Sequence, residues 1–84
     1  MKLIFSPGAA RALPRLPRKD GMALLAKLQQ VAEDPLGKYP WAKRLTDQPG
    51  FRARHGDWRA IYRLDHGSGE MLVEKIAKRE EAYR

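Results

Sequence analysis

The chain has no cysteine among its 84 residues. Disulfides and cysteine-ligated metal sites are therefore excluded, and the redox compartment is left open, a cytosolic one included. No apolar run approaches the roughly 20 residues that a membrane-spanning helix needs. The opening Met1-Lys2-Leu3-Ile4-Phe5 breaks at Ser6-Pro7, too soon for the apolar segment of a signal peptide. The expectation is a soluble, cytoplasmic protein with no membrane partner. Aromatic residues make up only 8% of the chain, and Trp41 and Trp58 suit a core better than base stacking. No cluster of Asp, Glu and His has metal-ligand spacing, and no P-loop, dinucleotide-binding glycine motif or Ser-His-Asp arrangement is present. Neither a metal nor a cofactor is expected. Repeats and low-complexity segments are absent, and the length suits one domain spanning residues 1–84.

Positive charge is what the chain has in excess. Lys and Arg number 17 against 10 Asp and Glu, a formal net charge of +7. The cations do not form a tail: seven lie in residues 1–42 and ten in residues 43–84. They belong to a folded surface that repels itself and favours an acidic partner. Nucleic acid is the first candidate partner and an acidic protein the second.

Element signals follow in a clear order. Residues 2–5 read as a strand. Ser6-Pro7 reads as a helix start, since Ser caps free N–H groups and Pro is tolerated at the first helical position. That helix should end near Leu13, with Pro14 and Pro17 making its end ragged. Leu24, Leu25, Leu28, Val31 and Ala32 share one face at helical spacing, with Asp20 as the expected cap and Asp34-Pro35-Leu36-Gly37 as the stop. Strands are then expected at residues 43–46, 51–54, 58–64 and 70–77, with turns at 47–50, 55–57 and 65–69. The predicted architecture is α+β: two N-terminal helices packed on one face of a small, mainly antiparallel sheet, in the order β-α-α-β-β-β, with a further strand where 43–46 also pairs.

Such a sheet has an open face. Phe51 and Ala53 point one way along their strand, and Arg52 and Arg54 the other. In the next strand Trp58, Ala60, Tyr62 and Leu64 share a face, opposite Arg59, Ile61 and Arg63. With Phe51 and Ala53 in the core, Arg52, Arg54 and Arg59 meet on the open face, and Arg79 completes a basic concavity. Paired guanidinium donors match phosphate oxygens. A solvated face with cross-strand Arg–Glu pairs, Glu74 among them, fits the same pattern.

The run from Phe51 to Arg63, Phe-Arg-Ala-Arg-His-Gly-Asp-Trp-Arg-Ala-Ile-Tyr-Arg, resembles the R-x-R-x-G-D-Y-R-x-I-Y signature of RelE-type toxins. The closing Lys78-Arg79-Glu80-Glu81-Ala82-Tyr83-Arg84 resembles that family's R-R-E-x-Y-R ending. Phe5-Ser6-Pro7, Leu16-Pro17, Glu33-Asp34-Pro35 and Lys43-Arg44-Leu45 fall at the family's spacing, so the resemblance covers nearly the whole chain. The RelE/ParE superfamily comprises toxins of toxin–antitoxin modules with a microbial-RNase-type fold. RelE-like members cut mRNA in the ribosomal A site, and ParE-like members poison DNA gyrase without nuclease residues.

The resemblance implies a type II toxin that is a ribosome-dependent endoribonuclease, with an antitoxin protein, the small-subunit rRNA and mRNA as partners. A hetero-oligomer with the antitoxin is implied as well. The alternative is a ParE-like gyrase inhibitor. Carried over by position, Arg52 and Arg54 contact the scissile phosphate region or help activate the nucleophile. Arg59 stabilises the phosphate, Arg79 acts as acid or clamp, and Tyr83 stacks on or orients the nucleotide. Arg11, Arg15, Arg18, Lys19 and Lys27 would contact ribosomal RNA phosphates. Three features depart from the pattern, one being that some relatives carry a further C-terminal helix beyond the position of Arg84. Trp58 replaces a Tyr, and Arg replaces the more usual Lys at 52 and 54. Arginine stays protonated and cannot be a base; the general base is left open, with His55 a candidate on pKa grounds.

Overall fold

The computed structural model describes residues 1–79, 81 and 82. In chain order the elements are β1 (Lys2–Phe5), α1 (Pro7–Ala12), a short 3-10 helix (Leu13–Arg15), α2 (Arg18–Glu33), β2 (Ala42–Arg44), β3 (Phe51–His55), β4 (Trp58–Asp65) and β5 (Glu70–Lys78). The five strands form one sheet in the order β1-β5-β4-β3-β2. Strands β2 to β5 make an antiparallel meander, and β1 pairs with β5 in parallel. The expected α+β arrangement is what the chain adopts.

Local chemistry sets the helix ends. The Ser6 hydroxyl accepts the Ala9 N–H at 3.0 Å, and Pro7 opens α1. At Leu13-Pro14-Arg15 the helix tightens into a 3-10 turn, because Pro14 has no N–H for the α-helical ladder. Helix α2 starts after Pro17, which has no side-chain oxygen to cap it. Asp20, the expected cap, lies within the first turn instead. Its charge still suits the positive helix start, but its carboxylate is turned onto His55.

Helices cover one face of the sheet. Leu24, Leu28, Val31 and Ala32 of α2 are buried against Ala53, Ala60, Tyr62, Met71, Val73 and Ile76 of the strands. Burying a leucine or valine of this kind is worth about 1.5–3 kcal/mol. Ala53 and Ala60 are register partners and fully buried, so two small side chains lie side by side under the helix layer.

One irregularity sets the facing of β5. Tyr62 pairs with Val73 and Ile61 pairs with Lys75, so Glu74 is an extra residue in the strand. Met71 and Val73 point to the core before this bulge, and Ile76 points to it afterwards. Strict alternation would have put Ile76 on the open face and Lys75 in the core. The start of α1 holds the bulge: the Ser6 N–H donates to the Val73 carbonyl at 2.9 Å and the Ser6 hydroxyl to the Glu74 carbonyl at 2.8 Å.

All four meander strands differ by one or two residues from the sequence expectation, with β4 and β5 each one residue longer. Strand β2 is Ala42–Arg44 rather than residues 43–46, because the Leu45 N–H turns back to the Gly50 carbonyl and closes a loop. His55 belongs to β3 and pairs with Trp58, leaving Gly56-Asp57 as a two-residue hairpin turn with Gly56 at φ 56°. Among the described residues no helix is long and apolar enough to cross a membrane.

Gly50 adopts φ 109°, and a Cβ there would lie 2.8 Å from the Tyr62 carbonyl oxygen. The variant Gly50→Ala should therefore lose about 1–3 kcal/mol of stability, read from its urea midpoint. A midpoint equal to wild type would show that the loop has another accessible conformation.

Candidate nucleic-acid interface

The open face carries the arginines that the alternation predicted. Arg52 and Arg54 of β3 lie on it, with Arg54 directly across from Arg59 of β4. Arg52 pairs with Ile61, whose other neighbour is Lys75 of β5. Ile61 is only 6% exposed although no helix covers this face. Long cationic side chains shield apolar neighbours with their stems, and both of its register partners are of that kind. Lys43 of β2, partner of Arg52, extends the cationic row to the sheet edge. The sequence pattern did not place Lys43 and Lys75 in this row. Lys75 reaches this face only because of the bulge, which alternation cannot reveal.

The environments of these cations differ. Arg54 is exposed. Arg59 is 7% exposed, and its Nη1 donates to the carbonyls of Gly56 at 2.7 Å and Trp58 at 2.9 Å. Its Nε is buried with no hydrogen-bond partner. Like charges opposed across strands repel, and the carbonyls of the β3–β4 turn offset part of that repulsion. Arg79 is exposed, and its N–H donates to the Asp57 carbonyl at 2.7 Å. The chain after β5 is thereby tied to the same turn that Arg59 braces. Arg54, Arg59 and Arg79 thus converge on one end of the sheet, with Arg52 one pair further along β3. Tyr83 lies outside the described residues.

A cavity of about 340 Å³ at this end is lined by Asp57, Lys78, Arg79 and Glu81. Its two carboxylates escaped the sequence pattern, although Asp57 stands inside the toxin-like signature. The expected Arg–Glu pair exists, but its arginine is Arg63, with Nε 3.8 Å from Glu74 and both side chains exposed. Such a pair is worth little.

His55 points to the helix side, in step with Phe51 and Ala53. Its Nε2 lies 3.2 Å from Asp20 Oδ1, and its Nδ1 lies 3.4 Å from Lys27 Nζ. The ring joins α2 to the end of β3 and faces away from the arginine row, which removes it as a base. Lys27 also donates to the Arg54 carbonyl at 3.0 Å and sits 5.5 Å over the Trp41 ring. Of the five cations expected to contact ribosomal RNA, Arg11, Arg15, Arg18 and Lys19 are exposed, whereas the Lys27 ammonium is turned inward.

No family model and no curated protein matches the chain. Solved structures do. A RelBE toxin–antitoxin complex from Mycobacterium tuberculosis contains a chain that is 25% identical, with TM-score 0.74, matched over 93% of this chain and 96% of that one. The archaeal RelE–RelB complex from Pyrococcus horikoshii is similar at 21% identity and TM-score 0.78, over 96% and 97%. A YoeB/ParE toxin from Agrobacterium tumefaciens shares 13% identity at TM-score 0.78, over 93% and 98%, which is likeness of fold alone. The chain shares the fold of RelE/ParE-type toxins.

Desolvation, and then the Arg54 charge, lower the pKa of Lys27 below its ordinary 10.5. The folded protein therefore holds this proton less tightly than the unfolded chain. Stability gains from that difference as pH rises through the folded pKa towards 10.5. Urea midpoints of wild type should climb relative to Lys27→Met across the alkaline range; parallel curves would contradict the assignment.

Proposed function

We propose that this protein is the toxin of a type II toxin–antitoxin pair and a ribosome-dependent endoribonuclease. The observation that carries the reading is the convergence of Arg54, Arg59 and Arg79 on one turn of an uncovered sheet face. The reaction is transesterification. A ribose 2′-OH gives up its proton and attacks the adjacent phosphorus. The P–O5′ bond breaks, O5′ takes a proton, and a 2′,3′-cyclic phosphate remains. No metal is invoked.

Arg52 and Arg54 hold the phosphate backbone, while Arg59 and Arg79 stabilise charge building on its oxygens. Fixed contacts of this kind are worth about 3–4 kcal/mol each. Tyr83 is assigned the stacking role that the family resemblance gives it. Asp57 and Glu81, which share a cavity with Arg79, replace His55 as acid–base candidates. A site this sparse in acid–base groups relies on the ribosome to orient its substrate. Exposed Arg11, Arg15, Arg18 and Lys19 meet rRNA phosphates, so binding weakens steeply with salt. An antitoxin with an acidic segment covers the basic surface in the cytoplasm, forming a hetero-oligomer. The chain acts as one toxin domain over residues 1–84.

A second reading, gyrase inhibition of the ParE kind, is favoured by one observation: the Arg59 guanidinium is already engaged by turn carbonyls. Primer extension on mRNA in a purified translation system separates the two. Wild type should cut within the A-site codon only when ribosomes are present, and Arg54→Ala should cut about 10²–10³-fold more slowly. Intact mRNA beside inhibited gyrase supercoiling would select the second reading.

A further inference from the structure

We propose that the cavity between β2 and the 45–50 loop is a base-reading subsite for the RNA strand, fitted to guanine. The proposal rests on the RNA-substrate reading above and adds to it the base beside the bound phosphate.

The cavity has a volume of about 310 Å³, and its walls include Lys43, Arg44, Thr46, Asp47, Gln48 and Arg52. That volume is at the small end of ligand pockets, enough for one flat base. Arg52 belongs both to this wall and to the cationic row, and its register partner Lys43 is the next wall residue. Adjacent strands lie about 4.8 Å apart, which places β2 roughly 10 Å from Arg59 on β4. A strand whose phosphate sits on the arginine row can therefore lay a neighbouring base in the cavity.

The loop is fixed rather than slack. The Leu45 N–H donates to the Gly50 carbonyl at 2.9 Å, and Gly50 packs against the Tyr62 carbonyl. The Thr46 hydroxyl lies 3.4 Å from Asp47 Oδ1.

Asp47 is the informative residue. A wall built only to grip phosphate gains nothing from a carboxylate, which repels it. A carboxylate does suit a base edge, because it accepts from paired N–H donors. Guanine presents such a pair, N1–H and N2–H, beside the O6 acceptor, which Gln48 or Lys43 can serve. Adenine and cytosine offer only an amino group. Unpaired RNA exposes this edge to a protein, whereas a duplex hides it.

The test is fluorescence anisotropy at low salt with short uridine oligonucleotides, 2′-O-methylated so that they cannot be cut. Each carries one guanosine, inosine or adenosine, and inosine differs from guanosine only by the missing amino group. Wild type should bind the guanosine strand roughly tenfold more tightly than the inosine strand. The variant Asp47→Asn should lose that preference while its affinity for plain uridine strands is unchanged or raised. Equal binding of all strands by wild type, or a preference that survives Asp47→Asn, overturns the subsite and leaves the RNA-substrate reading intact. No binding to any strand overturns both.

Discussion

Side chains along a strand alternate between two faces, and in this protein helices cover only one of them. Every charged strand residue must therefore leave by the other face or find a partner under the helices. The leucine face of α2 decides which side is covered, and the pairing register decides which residues go there. The bulge at Glu74 is where the two demands conflict. Val73 and Ile76 are an odd number of positions apart, yet both are buried. The extra residue reconciles them, and Ser6, the cap of α1, accommodates the irregular backbone. A single serine thus links the start of the first helix to the facing of the last strand.

The same constraint concentrates charge. Lys43, Arg52, Arg54, Arg59, Arg63 and Lys75 all emerge on the uncovered face, and Arg54 directly opposes Arg59. A cross-strand pair of like charges costs stability, and an anion lying between strands removes that cost. Local structure in this region is committed to holding the charges in place. Gly56 permits the two-residue turn, the turn carbonyls brace Arg59, and the backbone of Arg79 returns to the turn through Asp57. Paired guanidinium donors on such a face match phosphate oxygens.

Much of this was legible in the sequence, because period and punctuation carry the information. The strand from Trp58 alternates cleanly, so the residue pattern alone assigns Arg59 to the open face. The helical spacing of Leu24, Leu28 and Val31 likewise identifies the core face of α2. What escaped depends on contacts between distant residues. Nothing in the local pattern of β5 signals an extra residue at Glu74, so Lys75 was not placed. Asp20 has the chemistry of a cap but lies within the first turn, and its partner His55 is 35 residues away. The bracing of Arg59 depends on carbonyl orientation in a turn, which no residue type encodes. His55 lies next to the Gly56-Asp57 turn and was expected within it, although pairing with Trp58 makes it the end of a strand.

The account stands on the uncovered basic face being the surface that acts. The most direct measurement is growth of bacteria after induced expression of wild type and of the double variant Arg52→Ala/Arg54→Ala, with matching melting curves to establish that both fold. The account predicts arrest by wild type and continued growth with the double variant. Equal arrest by the two proteins would contradict it and move the acting surface to another part of the fold.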